Sequence, residues 1–249
     1  QVVLFCLPVN PHSEIAQRIA PHLAADSVCL TIAKGLDESG RTAAQVFDRV
    51  FGGRHRYGVI YGPMIAEELR AGQLGFADAV LSHVEDFEVI RSLFRGSTLV
   101  CQQASDMHGR SWSVILKNVY AIVFGAADEL KLGRNMRGHL MVAAIAELSG
   151  IVQAFGGQAH TPYSYAGLGD LMTTGTSEDS HHHELGRKLA RGEWEDISGE
   201  GVHTLRMVEK FSVFDWRAYP LFSLSHDMVA EPHKLRTRLE EYLAFLRGT

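Results

Sequence analysis

Hydrophobic positions in the N-terminal part of the chain follow two alternating rhythms. Short apolar runs at Gln1–Leu7, Ser27–Ala33, Tyr57–Gly62, Phe76–Ser82 and Ser97–Gln102 read as strands, most of them rich in valine and isoleucine. Between them, Pro11–Leu23, Thr42–Val50, Pro63–Ala71 and Asp86–Phe94 read as helices; in the first, Ile15, Ile19 and Leu23 share one face. This alternation predicts a largely parallel α/β sheet. After about Gly109 the rhythm changes. Val114–Leu130, Arg137–Phe155, Glu184–Arg191, Gly201–Phe211 and His233–Leu246 read as helices, and strands vanish. Gly156-Gly157 falls where a left-handed C-cap stops the second of these helices, and Asp179-Ser180 is placed to cap the third. The pattern predicts an α/β domain over 1–107 followed by an all-helical domain over 108–249.

With 249 residues, 46% of them hydrophobic, the chain can bury a sizeable core in one large domain or two ordinary ones. A net charge of −5 gives no electrostatic footprint for nucleic acid or an anionic membrane, so an anionic ligand needs a local cationic pocket. The most apolar stretch, Trp112–Phe124, is interrupted by Lys117 and Asn118 and is too short to span a bilayer; no signal peptide is visible. Cys6, Cys29 and Cys101 include no CxxC and read as buried, reduced thiols of a cytoplasmic protein. The chain opens on Gln1, inside what reads as a core strand, so further residues are expected upstream.

Several residues carry candidate chemistry. Lys117 lies in an apolar helix, where an ammonium is costly to bury unless paired. Burial lowers a lysine pKa towards the range useful for acid–base catalysis. A lysine reaching out of a half-buried helix satisfies the same pattern. Lys34 follows the second strand and precedes Gly35, at the strand end where open parallel sheets bind ligands; plain exposure there fits equally. Gly62-Pro63 starts a helix whose first amides are free donors, a turn common in α/β proteins. Ala166–Thr174 is a glycine-flexed turn around Asp170, which either holds an ammonium or caps a helix. His181, His182 and His183 make a poor metal chelate, since neighbours on a helix point about 100° apart. An anion at this helix start, aided by the dipole and partial protonation, and a solvated polar turn both remain.

Taken together, Val3–Pro8, Thr31–Leu36, Gly62–Glu68, Leu116–Val119, Ala166–Leu171 and Glu200–Val202 resemble, in order and spacing, motifs of the NAD(P)-dependent glycerol-3-phosphate dehydrogenase family. The resemblance implies part of a dinucleotide-binding Rossmann-type domain, then a helical substrate domain like that of 6-phosphogluconate dehydrogenase. It implies NAD or NADP as cofactor and hydride exchange with dihydroxyacetone phosphate or sn-glycerol 3-phosphate, supplying the glycerol phosphate backbone of phospholipids. The partner implied is a small phosphorylated substrate, without nucleic acid or membrane insertion, and with room for a homodimer. By the same resemblance Lys117 is the catalytic acid/base, Lys34 a second active-site lysine, and Asp170 and Asn118 polar groups around Lys117, with Asp170 counted among the catalytic residues. Lys34, Gly62, Asn118, Asp170, Thr174, Ser180, His181 and His182 fall at substrate-binding positions. Pro8, Lys34, Ala66, His181 and Glu200 fall at cofactor-binding positions, and no residue is implied as a metal ligand.

The chain departs from the family pattern in three places. The strand–Gly-x-Gly-x-x-Gly–helix unit is expected upstream of Gln1, which makes the first strand here the fourth of the usual sheet, with an apolar edge. His181 and His182 stand where the family carries an Arg-Asn pair that grips phosphate. Histidine offers fewer donors and no permanent charge, which predicts weaker phosphate binding or another substrate. Met64 replaces a small hydroxyl residue, and Trp112 and Val114 replace small residues, changes expected to reshape the pocket. Two alternatives stay open: a dehydrogenase for a different small acid or phosphate, and a catalytically impaired dehydrogenase-like binding protein.

Overall fold

The computed structural model describes residues 1–177 and 180–248. Five strands, β1 (Val2–Phe5), β2 (Val28–Thr31), β3 (Arg56–Tyr61), β4 (Gly75–Leu81) and β5 (Leu99–Gln103), form one sheet in sequence order. All neighbours are parallel except β3 and β4, which run antiparallel. The helix joining them, α3 (Ala66–Arg70), has only five residues and cannot carry the chain back along a parallel partner. Gly62 makes this reversal possible: a Cβ there would meet the Phe76 carbonyl oxygen at 2.2 Å.

Strand β2 is buried on both faces. Cys29 packs with Phe47 and Phe51 of α2 (Ala43–Phe51) and with Ala16 of α1 (His12–Ile19), whereas Val28 and Leu30 pack with Ile90 of α4 (Phe87–Leu93). Helix α2 starts with a reciprocal cap: Thr42 Oγ1 accepts from the Gln45 amide at 3.2 Å, and Gln45 Oε1 from the Thr42 amide at 2.9 Å. The first strand shows the apolar edge expected of it. Among the described residues β1 pairs only with β2, Leu4 is 41% exposed, and Cys6, just past the strand end, is exposed rather than buried. Cys29 is buried and Cys101, on the opposite edge strand, partly so.

The rest is helical: α5 (Met107–Glu129), α6 (Arg134–Ala154), α7 (Asp170–Thr176), α8 (His181–Arg191), α9 (Glu200–Phe211), α10 (Pro220–Ala230) and α11 (Leu235–Arg247). Helix α5 is the axle, buried on all sides from Ser111 to Phe124. It begins earlier than the apolar pattern alone predicts. Asp106 caps it by accepting from the Gly109 amide at 2.9 Å, and Ser111 and Ser113 donate back to the carbonyls of Met107 and Gly109. Helix α8 crosses α5 almost backbone to backbone, for a Cβ on Gly186 would lie 1.9 Å from the Ile122 carbonyl oxygen. Trp112 stacks on Phe155 at 4.5 Å, and Val114 is fully buried; both lie in the helical core and neither lines the cleft. Helices α7 and α10 are additions to the predicted set.

One buried carboxylate joins sheet and helices. Asp78 on β4 accepts from Gln102 Nε2 at 2.7 Å and from the Ala166 amide at 3.1 Å, and pairs with Arg110 of α5 at 3.1 Å. Among the described residues no helix is long and apolar enough to cross a membrane.

Candidate active site

The site forms where the carboxyl ends of β2 and β3 face α5 and α7. Lys34 sits just past β2. Its backbone is fixed by the Tyr61 hydroxyl, which donates to the Ala33 carbonyl at 3.0 Å, and by the Ala33 amide, which donates to Thr31 Oγ1 at 3.0 Å. Thr31 Oγ1 in turn bonds the buried His12 Nε2 at 2.8 Å, and His12 Nδ1 lies 2.8 Å from the Pro8 carbonyl. This tie between the ends of β1 and β2 escapes sequence reading, since His12 opens α1 and meets Thr31 only through the fold.

Lys117 is 6% exposed and Asp170 3%. Lys117 Nζ donates to Asp170 Oδ1 at 2.7 Å and to Thr174 Oγ1 at 2.6 Å. Lys34 Nζ donates to Asp170 Oδ2 at 2.7 Å and, at the limit of 3.5 Å, to the Gly62 carbonyl. One carboxylate thus bridges two ammonium groups, and each ammonium has three donors, so each keeps one for a ligand. Burial and the neighbouring Lys34 push the Lys117 pKa down to about 8, against the opposing pull of Asp170. Lysine, not a snorkelling side chain, occupies the interior here because Asp170 is there to meet it.

Both lysines open on a cleft of about 270 Å³, which Asn118, Thr174, Ser180 and His182 also line. Met64 is at its wall, as expected from its departure, and Glu67 and Thr173 join without having been foreseen. His182 is not the partial cation expected. Burial, His181 and Lys117 push its pKa down to about 3, and its Nε2 accepts from the Gly201 amide at 3.0 Å. His181 is exposed, bonds through Nε2 to the Ser198 carbonyl at 3.2 Å, and lines neither this cleft nor the next. Ser180 Oγ accepts from the His183 amide at 3.4 Å at the start of α8; Asp179, its expected companion in the cap, lies outside the described residues.

A second cleft of about 200 Å³ lies past the ends of β1 and β2, between Pro8, Val9 and Leu36 on one side and Gly199, Glu200 and His203 on the other. Asn118 Nδ2, at the edge of the first cleft, donates to Glu200 Oε2 at 3.2 Å and so joins the two. Glu200 is open to solvent on one side; desolvation raises its carboxyl pKa, while Lys34, Lys117 and Asn118 pull it the other way. Ala66 begins α3 and is exposed, outside both clefts.

Comparison with known proteins places the chain in a family. The profile of the NAD-dependent glycerol-3-phosphate dehydrogenase C-terminus matches residues 106–240, and that of the N-terminus residues 1–85. The chain belongs to the NAD-dependent glycerol-3-phosphate dehydrogenase family. It is 35% identical over 202 residues to a glycerol-3-phosphate dehydrogenase [NAD(P)+] of Agrobacterium fabrum, covering 80% of this chain and 61% of that one. It is 31% identical over 216 residues to the protein of the same name from Teredinibacter turnerae, covering 84% and 63%. The chain therefore spans about three fifths of the length of these relatives. The crystal structure of glycerol-3-phosphate dehydrogenase from Coxiella burnetii superposes with a TM-score of 0.85 at 25% identity, covering 97% of this chain and 76% of that one. The yeast enzyme shares the fold, with a TM-score of 0.77 at 19% identity. A two-domain dehydrogenase fold, Rossmann-type sheet then helical domain, is thus common to the glycerol-3-phosphate dehydrogenase family and this chain.

Proposed function

We propose that this chain carries the proton-transfer and substrate-binding apparatus of a dehydrogenase that interconverts dihydroxyacetone phosphate and sn-glycerol 3-phosphate with NAD or NADP, in the cytoplasm. The observation that carries the reading is the Lys34–Asp170–Lys117 bridge, with one free donor from each ammonium in the same cleft. The reading takes 1–107 as the remainder of the dinucleotide-binding domain and 108–249 as the substrate domain.

The second cleft suits a nicotinamide. Pro8, Val9 and Leu36 offer apolar walls to a flat ring, and Glu200 offers an acceptor to its amide. Bound there, the reduced cofactor supplies a hydride to the carbonyl carbon. The chain does the rest. Negative charge develops on the carbonyl oxygen, and Lys117 Nζ gives it a proton, while Lys34 adds a second positive charge that is stronger in the transition state than before it. Asp170 holds both ammonium groups in place, and Thr174 fixes the direction of Lys117. In oxidation Lys117 takes the proton back. Asn118, Ser180 and the neutral donor of His182 remain for the phosphate end. The assay is oxidation of NADH or NADPH by the full-length protein with dihydroxyacetone phosphate. Lys117→Ala should lower kcat by about 10²- to 10⁴-fold; an unchanged rate removes Lys117 from the mechanism.

A second reading, a dehydrogenase for another small oxo acid or phosphate, is favoured by the neutrality of His182 at a position where a phosphate clamp was expected. Rates compared across 2-oxo compounds separate the two.

A further inference from the structure

We infer that His182 is a positioning residue that locks the start of α9, and with it Glu200, against the substrate cleft while presenting a neutral donor to the substrate. The inference rests on the dehydrogenase reading above. The Gly201 amide donates to His182 Nε2 at 3.0 Å. A ring nitrogen that accepts a hydrogen bond is unprotonated, so the imidazole is neutral and its proton is on Nδ1. Nδ1 has no protein partner among the described residues and is not among the buried orphan atoms, so it reaches open space. His182 lines the cleft it shares with Lys117 and Ser180, and the inference assigns Nδ1 to that side.

The other side of the ring is wedged. A Cβ on Gly201 would stand 2.6 Å from the Asn118 carbonyl oxygen and 3.0 Å from His182 Cδ2, so the first turn of α9 fits between α5 and this ring with nothing to spare. His181 holds the preceding residues through Ser198, its ring edge-on to His182 at 5.5 Å. Glu200 lies between the two attachments, accepts from Asn118 and lines the second cleft. His182 therefore serves one cleft through Nδ1 and the other through Nε2, Gly201 and Glu200.

Two variants of the full-length protein separate the two nitrogens. His182→Gln keeps an acceptor at the reach of Nε2. His182→Asn keeps a donor near Nδ1 but falls short of Gly201. In the wild type, imidazole ¹⁵N shifts should report the Nδ1–H tautomer of His182. The Gly201 amide should exchange about tenfold faster in His182→Asn and near the wild-type rate in His182→Gln. By calorimetry, His182→Asn should weaken the dinucleotide about tenfold and leave dihydroxyacetone phosphate within about twofold, and His182→Gln the reverse. An Nε2–H tautomer, or equal exchange in both variants, overturns the lock. Equal affinity losses for both ligands in both variants overturn the division of roles. A wild-type protein that binds neither ligand overturns the dehydrogenase reading instead, and the tautomer and exchange still decide the lock.

Discussion

The two ends of the substrate cleft are built on opposite electrostatic plans. At one end two lysines converge on a single buried carboxylate, leaving a net positive charge where a carbonyl oxygen would become negative. At the other, α8 brings in a histidine stripped of its charge and tied to a backbone amide. On the proposed mechanism, positive charge is concentrated beside the reacting carbonyl, where it would favour the transition state over the ground state, and the remote end would hold its ligand by uncharged donors and shape.

The contrast can be broken most severely at the charged end. Asp170→Asn keeps the shape but leaves two ammonium groups facing each other without an anion, and kcat should fall by about 10²- to 10³-fold in steady-state assays. A smaller effect is expected from separating the ends. Gly186→Val forces α8 away from Ile122 of α5, which should cost about 1–3 kcal/mol in denaturant unfolding and raise KM for the carbonyl substrate more than it lowers kcat. The smallest effect belongs to His181→Ala. His181 is exposed and reaches no cleft, so stability should change by less than about 0.5 kcal/mol and kcat little. A large loss of phosphate affinity in His181→Ala would show that the remote end relies on charge after all.

The charged end was the legible one. An ammonium inside Trp112–Phe124 and a lysine beyond a strand end are costly placements, and cost is visible in a sequence. What was not visible was that Asp170 would meet both, because its partners lie 136 and 53 residues away. The remote end was misread for a related reason. Partial protonation was one open reading of the histidine run, but the state of His182 is set by burial and by the Gly201 amide, neither of which is local. The fold divides in the same manner. Periodicity sufficed for the strands and for most helices, but α10 begins where Glu147, far away on α6, accepts from the amides of Leu221 and Phe222 at 2.6 and 2.9 Å. Pro220 at its first position and the spacing of Leu221, Leu224 and Met228 were the available clues. Helix α7 hid behind the π-helical turn Tyr165–Gly169, whose glycines read as a loop.

The central claim is that Lys117 is the proton donor and acceptor, poised by burial at about 8. Its most direct test is the pH dependence of kcat/KM in both directions with the full-length protein. Reduction needs the protonated amine, so its rate should be full below about pH 8 and fall as pH rises through that value. Oxidation needs the neutral amine and should rise through the same pH. Profiles that are flat there, or that persist in Lys117→Ala, would contradict the account.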